Sequence, residues 1–335
     1  MNTRRHLPLM IASALALHAH ADEAWRIGGS SAAWSVEGSV AGSNDISGAA
    51  SIQAGRGVLV SDETRVAQPF RYDLTTCRIT VETPVPLLAG SGKELDLEAI
   101  AASRTGACYY ATGSHGVARK SGKVQPDRLH VFRLPVDAAT GAIKAESIAV
   151  TTLLPVLKSD ALLRDDIGKS SDLDGIDIEG LAEKDGTLFF GLRSPSLKDH
   201  AFIIEVQAEA LFAHAETATH RTYQLPLGAG IGIRDIASVR DGFLFIAGRS
   251  GNDGSTQGFT LHHWSGPGGT LTKIGDLPEA TGKAEGLMVL AETDTAVDVL
   301  IVYDGAVNGT PTRFELIKPA TSSEPKRIAK PSDHP

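Results

Sequence analysis

The sequence contains few cysteines and lacks the local motifs of several enzyme classes. Cys77 and Cys108 are its two cysteines, and no histidines stand at ligand spacing beside them, so a zinc site is not indicated. The Gly-x-Ser-x-Gly motif of a hydrolase nucleophile elbow is absent. Gly168–Ser170 has the end of a phosphate-binding loop, but Leu163 stands where the first glycine of that loop belongs. In an oxidising compartment Cys77 and Cys108 would either form a disulfide or remain two buried thiols.

Long apolar runs are also absent beyond the N-terminus. Residues 1–21 have the layout of a secretory signal peptide: Arg4 and Arg5 precede the apolar run Leu7–Leu17, and a small-x-small cleavage site ends at Ala21. The apolar run is too short to span a bilayer. We therefore predict a periplasmic or secreted protein with cleavage after Ala21 and no membrane insertion.

The charge balance is acidic. The chain has 32 Lys and Arg against 40 Asp and Glu, a formal net charge of −8. Removal of the signal peptide deletes Arg4 and Arg5 and no acidic residue, which moves the charge to about −10. A protein of this sign binds nucleic acid poorly and suits cations or small substrates. No sequence motif indicates an organic cofactor.

A short phrase recurs about every fifty residues. It occupies Asp177–Ala182 and Asp96–Ala101, with weaker copies at Lys283–Met288, Gly232–Ala237 and Asp45–Ala50. Most copies precede an apolar, strand-like run that ends in a polar residue. Self-similarity at this period indicates a radially repeated fold. We therefore expect one domain over residues 22–320, with a disordered tail over 321–335.

One repeat contains four candidate strands. They are Asp177–Ala182, Thr187–Leu192, Ala201–Val206 and Arg221–Leu227, and the turn residues Asp185–Gly186 join the first two. Four antiparallel strands in each repeat are typical of a propeller blade. The sequence therefore predicts an all-β fold, a β-propeller of four-stranded antiparallel blades.

The spacing of the repeats predicts five blades. Equivalent positions stand 51, 81, 55 and 51 residues apart, at Ser47, Glu98, Glu179, Arg234 and Glu285. The long gap leaves a sixth blade open, and its extra sequence at residues 116–127 and 158–174 is otherwise expected to form rim loops.

The termini and two connections complete this prediction. The sequence after Trp25, especially Ala33–Glu37, would supply the missing outer strand of the last blade, so strands from both termini would close the ring. Short helices are expected near Ser159–Asp165 and Ala208–Ala213.

Aligned copies of the phrase produce two columns that contain carboxylates. The first column includes Asp96 and Asp177, and the second, two residues further along, includes Glu98, Glu179 and Glu285. Residues i and i+2 of a strand share a face, so each Asp–Glu pair should point into the axial channel. Carboxylates that converge there would suit Ca²⁺. The alternative is structural: these acids would cap turns and accept backbone N–H groups between blades.

Basic residues form a second set around the same channel. His115, Arg193 and Arg249 end the second strands of their repeats, and Arg234 and Lys283 stand in the carboxylate columns. Guanidinium groups bind phosphate or carboxylate, so this set predicts a small anionic ligand. The alternative is mutual pairing, Glu179 with Arg234 or Glu285 with Arg249. His115 would be a catalytic proton donor or acceptor, or a structural hydrogen-bonding residue.

Three phrases resemble the bacterial family called domain of unknown function 3616. They are Asp177–Ala182, Gly191–Pro195 and Gly232–Ala237, and the resemblance extends from about Asp45 to Asp304. It implies an exported β-propeller. The Asp-x-Glu-Gly phrase is also similar to that of esterase-like phytase propellers, which implies a calcium-assisted phosphoester hydrolase. In plan the chain is similar to lactonase propellers.

Together these observations predict an exported, monomeric propeller that binds a small anionic ligand at its central channel. As a cation-assisted phosphoester or lactone hydrolase, it would use Glu179 to activate water and His115 to transfer a proton. The alternative is a non-catalytic binding or interaction module of the cell envelope.

Overall fold

The computed structural model describes residues 24–90, 92–118, 121–251, 258–278 and 282–320. The predicted signal peptide and the predicted disordered tail lie outside these residues. The described chain is all-β, with 52% of residues in strands and 11% in helices. None of its helices combines the length and the apolar character needed to cross a membrane.

Five antiparallel sheets of four strands each form a five-bladed propeller, which confirms the predicted fold and leaves no sixth blade in the described chain. Two N-terminal strands precede the first complete blade, β1 (Arg26–Ala33) and β2 (Ser35–Glu37). Blade 1 contains β3 (Ile46–Gln53), β4 (Arg56–Ser61), β5 (Val66–Asp73) and β6 (Arg78–Val81), with a short β7 (Val85–Pro86) paired to β5.

The other blades follow in chain order. Blade 2 contains β8 (Leu97–Ala102), β9 (Cys108–Gly113), β10 (Val131–Pro135) and β11 (Ala149–Thr151). Blade 3 contains β12 (Asp177–Lys184), β13 (Thr187–Ser194), β14 (Ala201–Gln207) and β15 (His220–Leu225). Blade 4 contains β16 (Ile231–Val239), β17 (Gly242–Arg249), β18 (Thr260–Trp264) and β19 (Leu271–Asp276). Blade 5 contains β20 (Lys283–Glu292), β21 (Ala296–Asp304) and β22 (Thr312–Ile317).

Helices occur only in connections of the described chain. The predicted helix near Ala208–Ala213 is present as α2 (Ala208–His214). The helix predicted near Ser159–Asp165 begins earlier, as α1 (Leu154–Ser159). Short 3₁₀ helices occupy Pro126–Arg128, Ala145–Ser147, Arg164–Asp166, Ser171–Leu173, Ala215–Thr217 and Val307–Gly309.

Strands from both ends of the chain close the ring, as predicted, and the N-terminal strand follows Trp25 directly but does not use most of the favoured segment Ala33–Glu37. β1 pairs antiparallel with β22, with Ser30 opposite Phe314, and so completes blade 5. The segment favoured for this role, Ala33–Glu37, instead contributes β2, which pairs in parallel with β6 of blade 1. Two buried tryptophans explain this placement: Trp25 packs between blades 4 and 5, and Trp34 packs between blades 5 and 1.

The hydrophobic core is divided into five clusters, one at each interface between neighbouring blades. Cys108 is buried at the interface of blades 2 and 3, whereas Cys77 packs against the interface of blades 5 and 1. Both cysteines are free thiols, as in the second of the two alternatives drawn from the sequence, but Cys108 is buried and Cys77 is partly exposed. The innermost strands β3, β8, β12, β16 and β20 adjoin one another in a ring around the central channel.

Candidate functional site

A β-bulge interrupts every innermost strand at the same point. The pairing register with the second strand skips one residue in each blade, and the skipped residues are Ser47, Glu98, Glu179, Arg234 and Glu285. A bulged residue is released from the ladder, and the local twist re-aims its side chain. The repeated phrase is therefore a repeated bulge, and the charged column of the sequence is its set of bulged residues.

A cavity of about 540 Å³ lies at this mouth of the channel. Nine acidic and four basic side chains are among its lining residues, so the cavity favours a cation over an anion. Part of its wall comes from the two insertions predicted as rim loops, through residues such as Val117, Gln125 and Ser171. The described lining contains no aromatic residue, so it offers no stacking surface for a base or a sugar ring.

Arg193 binds two of the predicted metal ligands. Its Nη1 lies 2.8 Å from Glu179 Oε1 and 3.3 Å from Asp177 Oδ2, and its Nε donates to the carbonyl of Ser250 at 3.0 Å. Burial alone would lower the pKa of Arg193, but the charges of Glu179 and Asp177 raise it by more. The pKa of Arg193 therefore lies above its usual value. Arg193 is therefore a fixed positive charge that already holds carboxylates.

Arg234 continues this chain of ion pairs into the next two blades. Its Nε lies 2.8 Å from Glu179 Oε2, although the two atoms lack hydrogen-bond alignment, and its Nη2 binds Glu285 Oε1. Its Nη1 donates to the backbone carbonyl of Arg249 at 3.4 Å. The side chain of Arg234 is 3% exposed. The mutual pairing weighed from the sequence is thus present for Glu179 with Arg234, while Glu285 pairs with Arg234 rather than with Arg249.

Two further predicted residues, Asp96 and Lys283, also line the cavity. Arg128 binds Asp96 at 2.9 Å and Glu94 at 3.1 Å, and Ser114 donates a short hydrogen bond to Asp96. Lys283 Nζ lies 2.5 Å from Asp304 Oδ2. Sequence reasoning missed Arg128, because it belongs to an insertion that has no counterpart in the other repeats.

The carboxylates of Glu98, Asp177 and Glu179 converge, and Arg193 binds the last two of them. One oxygen each of Glu98, Asp177 and Glu179 lies within 4.8 Å of the others. Burial, followed by the charges of Asp96 and Glu179, raises the pKa of Glu98 well above its usual range. Burial also raises the pKa of Asp177 to about 7, against the opposing effect of Arg193. These acids repel one another, and a bound cation would relieve the repulsion.

Burial also raises the pKa values of Glu285 and Asp62. Burial raises the pKa of Glu285 to about 7 although Arg234 opposes the shift. Burial and then the charge of Asp304 raise the pKa of Asp62 to about 8. Asp62 directly follows β4 and lines the cavity. In the sequence it stood in the same column of strand ends as His115 and Arg193, which is a signal that could have identified it.

His115 is fixed by the backbone on both sides of its ring. Its Nδ1 lies 3.0 Å from the carbonyl of Gly113, and its Nε2 accepts the N–H of Leu153 at 3.0 Å. Because Nε2 accepts, the proton must be on Nδ1, which gives the neutral tautomer. Burial lowers the pKa of His115 to about 4. This geometry favours the structural alternative for His115 over the catalytic one.

Comparisons with known proteins give the family. No curated protein matches the sequence. An exo-β-1,3-galactanase from Phanerochaete chrysosporium, solved with β-1,3-galactotriose, is similar at 11% identity and a TM-score of 0.44, over 88% of this chain and 64% of that chain. The chain thus spans less than two thirds of the galactanase.

Two further solved structures are similar at the same low level. U3-55K is similar at 9% identity and a TM-score of 0.40, over 79% of this chain and 60% of that chain. A streptogramin B lyase is similar at 12% identity and a TM-score of 0.38, over 83% and 95%. Values this low say nothing about the reaction. The family described as Protein of unknown function (DUF3616) matches residues 131–314, more than half of the chain, and the chain belongs to this family.

Proposed function

We propose that the protein is an exported, cation-dependent hydrolase of small phosphoesters, with its reaction centre in the acidic cavity at the channel mouth. The observation that carries this proposal is the convergence of Glu98, Asp177 and Glu179 within 4.8 Å, in a cavity large enough for a small substrate. The cation would be Ca²⁺, because all three side chains offer hard carboxylate oxygens.

The spacing of the three carboxylates fits one such ion. Calcium binds oxygens at about 2.3–2.6 Å, so two of its ligands are separated by at most about 5 Å. Glu98 has the freest carboxylate of the three, because it makes no ion pair within the described residues. Asp96 and Glu285, also predicted as ligands, do not belong to the group of carboxylates whose oxygens lie within 4.8 Å of one another, so we leave them out of the proposed set.

A bound calcium ion would act as a Lewis acid that withdraws charge from the phosphoryl oxygens. The chain's own residues bind and orient the ester. Lys283 lines the mouth with its side chain 56% exposed, so its ammonium can donate to a phosphate oxygen while it keeps Asp304. Arg193 also lines the cavity, and it orients Asp177 and Glu179. The anionic ligand predicted from the sequence would thus bind next to the cation rather than to a ring of free arginines.

Thermal melting with calcium and with chelator tests the cation site. A ligand that binds only the folded state stabilises it by RT ln(1 + [L]/Kd), so about 1 mM Ca²⁺ at the Kd of about 10⁻⁴–10⁻³ M of extracellular calcium modules contributes about 0.4–1.4 kcal/mol. We expect millimolar Ca²⁺ to raise the Tm of the wild type and of Glu63→Gln, a matched control at an exposed acid of the same cavity. Glu98→Gln should lose the shift and the hydrolysis of a phosphomonoester. An equal calcium shift in Glu98→Gln would contradict the proposed ligand set.

A non-catalytic binding module is the second candidate, and the arginine pairing favours it. Arg193 and Arg234 neutralise Asp177, Glu179 and Glu285 in a continuous chain of ion pairs, as expected for a rigid channel lining. A calcium-dependent Tm shift without turnover of a phosphomonoester or a lactone would support this candidate.

A further inference from the structure

We infer that Asp62 is the general acid of this hydrolysis, the residue that gives a proton to the leaving alcohol. The assignment rests on the proposed function. It names a catalytic residue that lies outside the proposed cation ligands and outside the repeated phrase.

The first argument is the position of the Asp62 side chain. It lines the same cavity as Glu98, Asp177 and Glu179. Its Oδ1 is inaccessible to water and has no hydrogen-bond partner in the part of the chain that the structure describes. A buried carboxyl oxygen without a partner is costly, and such a group persists where a ligand completes it or where it is protonated.

The second argument is the contrast with its neighbours. Within the described residues, Asp96 and Glu94 bind Arg128, Asp304 binds Lys283, and Glu285 binds Arg234. No Lys, Arg or His among these residues forms an ion pair with Asp62. The fold therefore neutralises these four acids with cations, whereas Asp62, like the proposed calcium ligand Glu98, has none within the described chain. Asp62 lies outside the proposed ligand set, so a proton can take the place of the cation.

The third argument is the charge that faces Asp62. Asp304 at the end of β21, Asp96 before β8, Glu285 on β20 and Asp45 before β3 all act on it. The nearby cation Lys283 is bound to Asp304. Burial and these four carboxylates raise the pKa of Asp62 to about 8, so it carries its proton at neutral pH. A carboxylic acid kept protonated in this way can donate to a leaving group.

The proposed step balances in atoms and charge. A water oxygen forms a bond to phosphorus, and the bond between phosphorus and the ester oxygen breaks. The electron pair stays on the ester oxygen, which takes the proton from the Asp62 carboxyl and leaves as an alcohol. The attacking water releases one proton to solvent and becomes the hydroxyl of the hydrogen phosphate product. One proton from solvent then restores Asp62.

The dependence on the leaving group tests this role. Nitrophenolate leaves without protonation, whereas methoxide does not, so only methyl phosphate needs the acid. With Ca²⁺ present, Asp62→Asn should lose about 100-fold or more in kcat/KM on methyl phosphate and less than about fivefold on p-nitrophenyl phosphate. Glu63→Gln, the exposed neighbour with the same change of charge, should leave both values near the wild type. Equal losses on the two esters in Asp62→Asn would overturn the general acid but not the hydrolase.

A stability measurement tests the protonated state without any substrate. The pKa of Asp62 is about 8 in the folded protein and near 3.8 when unfolded, so the folded state binds more protons between these values. Asp62 should therefore contribute a loss of stability to the wild type as the pH rises from about 4 to 8, and Asp62→Asn should lack this contribution, because an amide mimics the neutral acid. Identical pH profiles would overturn the inference. A wild type that binds Ca²⁺ but hydrolyses neither ester would overturn the proposed function and this inference with it.

Discussion

At the scale of single residues, Glu179 organises the channel mouth. Its two carboxylate oxygens lie 2.8 Å from Arg193 Nη1 and 2.8 Å from Arg234 Nε, and the residue is 3% exposed. Removing one partner of a buried pair leaves an uncompensated charge and costs about 3–5 kcal/mol. A loss of function in a Glu179 variant would therefore mix unfolding with chemistry, and for this reason Glu98 and Asp62 are the better test positions.

A second single residue, His115, should make the free energy of unfolding depend on pH. Its pKa is about 4 in the folded protein against 6.5 for the free side chain, so the unfolded state binds more protons between these values. We expect the wild type to lose up to about 3 kcal/mol as the pH falls from 6.5 to 4 because of this residue. His115→Gln should remove most of this loss, measured by denaturant unfolding across the pH range. His214→Gln, at an exposed histidine, should keep it; equal profiles for both variants would contradict the assignment.

At the scale of elements, small residues allow the innermost strands to approach one another. Gly48, Ala99, Gly180 and Gly286 each follow a bulged residue. A Cβ on Gly180 would lie 3.3 Å from the backbone nitrogen of Ile236 in the next blade. The fifth such position is Asp235, whose carboxylate accepts the N–H groups of Ile236 and Leu287 at 2.7 Å and so connects blades 4 and 5.

Gly286→Ala tests this close approach. The new Cβ would lie 2.3 Å from Val302 Cγ2 and 3.2 Å from Gly48 Cα, so strands of blades 5 and 1 must move apart. We expect a loss of about 1–3 kcal/mol in the free energy of unfolding, measured with urea. Gly29→Ala is the matched control, since its Cβ would meet no atom within 4 Å in β1. A Gly286→Ala protein as stable as this control would contradict the packing argument.

At the scale of the whole molecule, β1 turns an open array of sheets into a closed ring. Its pairing with β22 covers an edge that would otherwise expose unpaired N–H and C=O groups. Trp25, immediately before β1, stacks on His263 at 4.6 Å and fixes the strand against blade 4. Ring closure thus depends on a contact between the two ends of the described chain.

A chain that begins at Trp34 would remove Trp25 and β1 while it retains Trp34. We expect a lower Tm and self-association through the open edge of β22, measured by differential scanning fluorimetry and light scattering. A peptide of residues 24–33 added in trans should bind this edge and restore the Tm, whereas a scrambled peptide should not. Unchanged Tm and solution mass in the truncated chain would show that closure does not need β1.

Much of the fold was predictable because its signals are local. The phrase at Asp177–Ala182, the turn at Asp185–Gly186 and the strand that follows recur with the same layout in other repeats, and each can be recognised within about thirty residues. The number of blades follows from counting these units. The closing strand was misplaced by a few residues, because the two buried tryptophans that position it have no repeat pattern.

The site was less predictable because its contacts are not local. The sequence by itself determined which side chains stand at the channel mouth, since the repeat places Glu98, Glu179, Arg234 and Glu285 at equivalent points. Only the tertiary structure decided which of these charges are free. Glu179 and Arg234 meet because neighbouring blades bring residues 55 positions apart into contact, and a bulge aims each of them into the channel. Ion pairs therefore occupy Arg193 and Arg234, so these arginines are not free to bind an anion. Glu98 and Asp62 have no ion-pair partner among the described residues. The sequence could not show this difference, because distance and burial, unlike residue type, depend on how the blades pack.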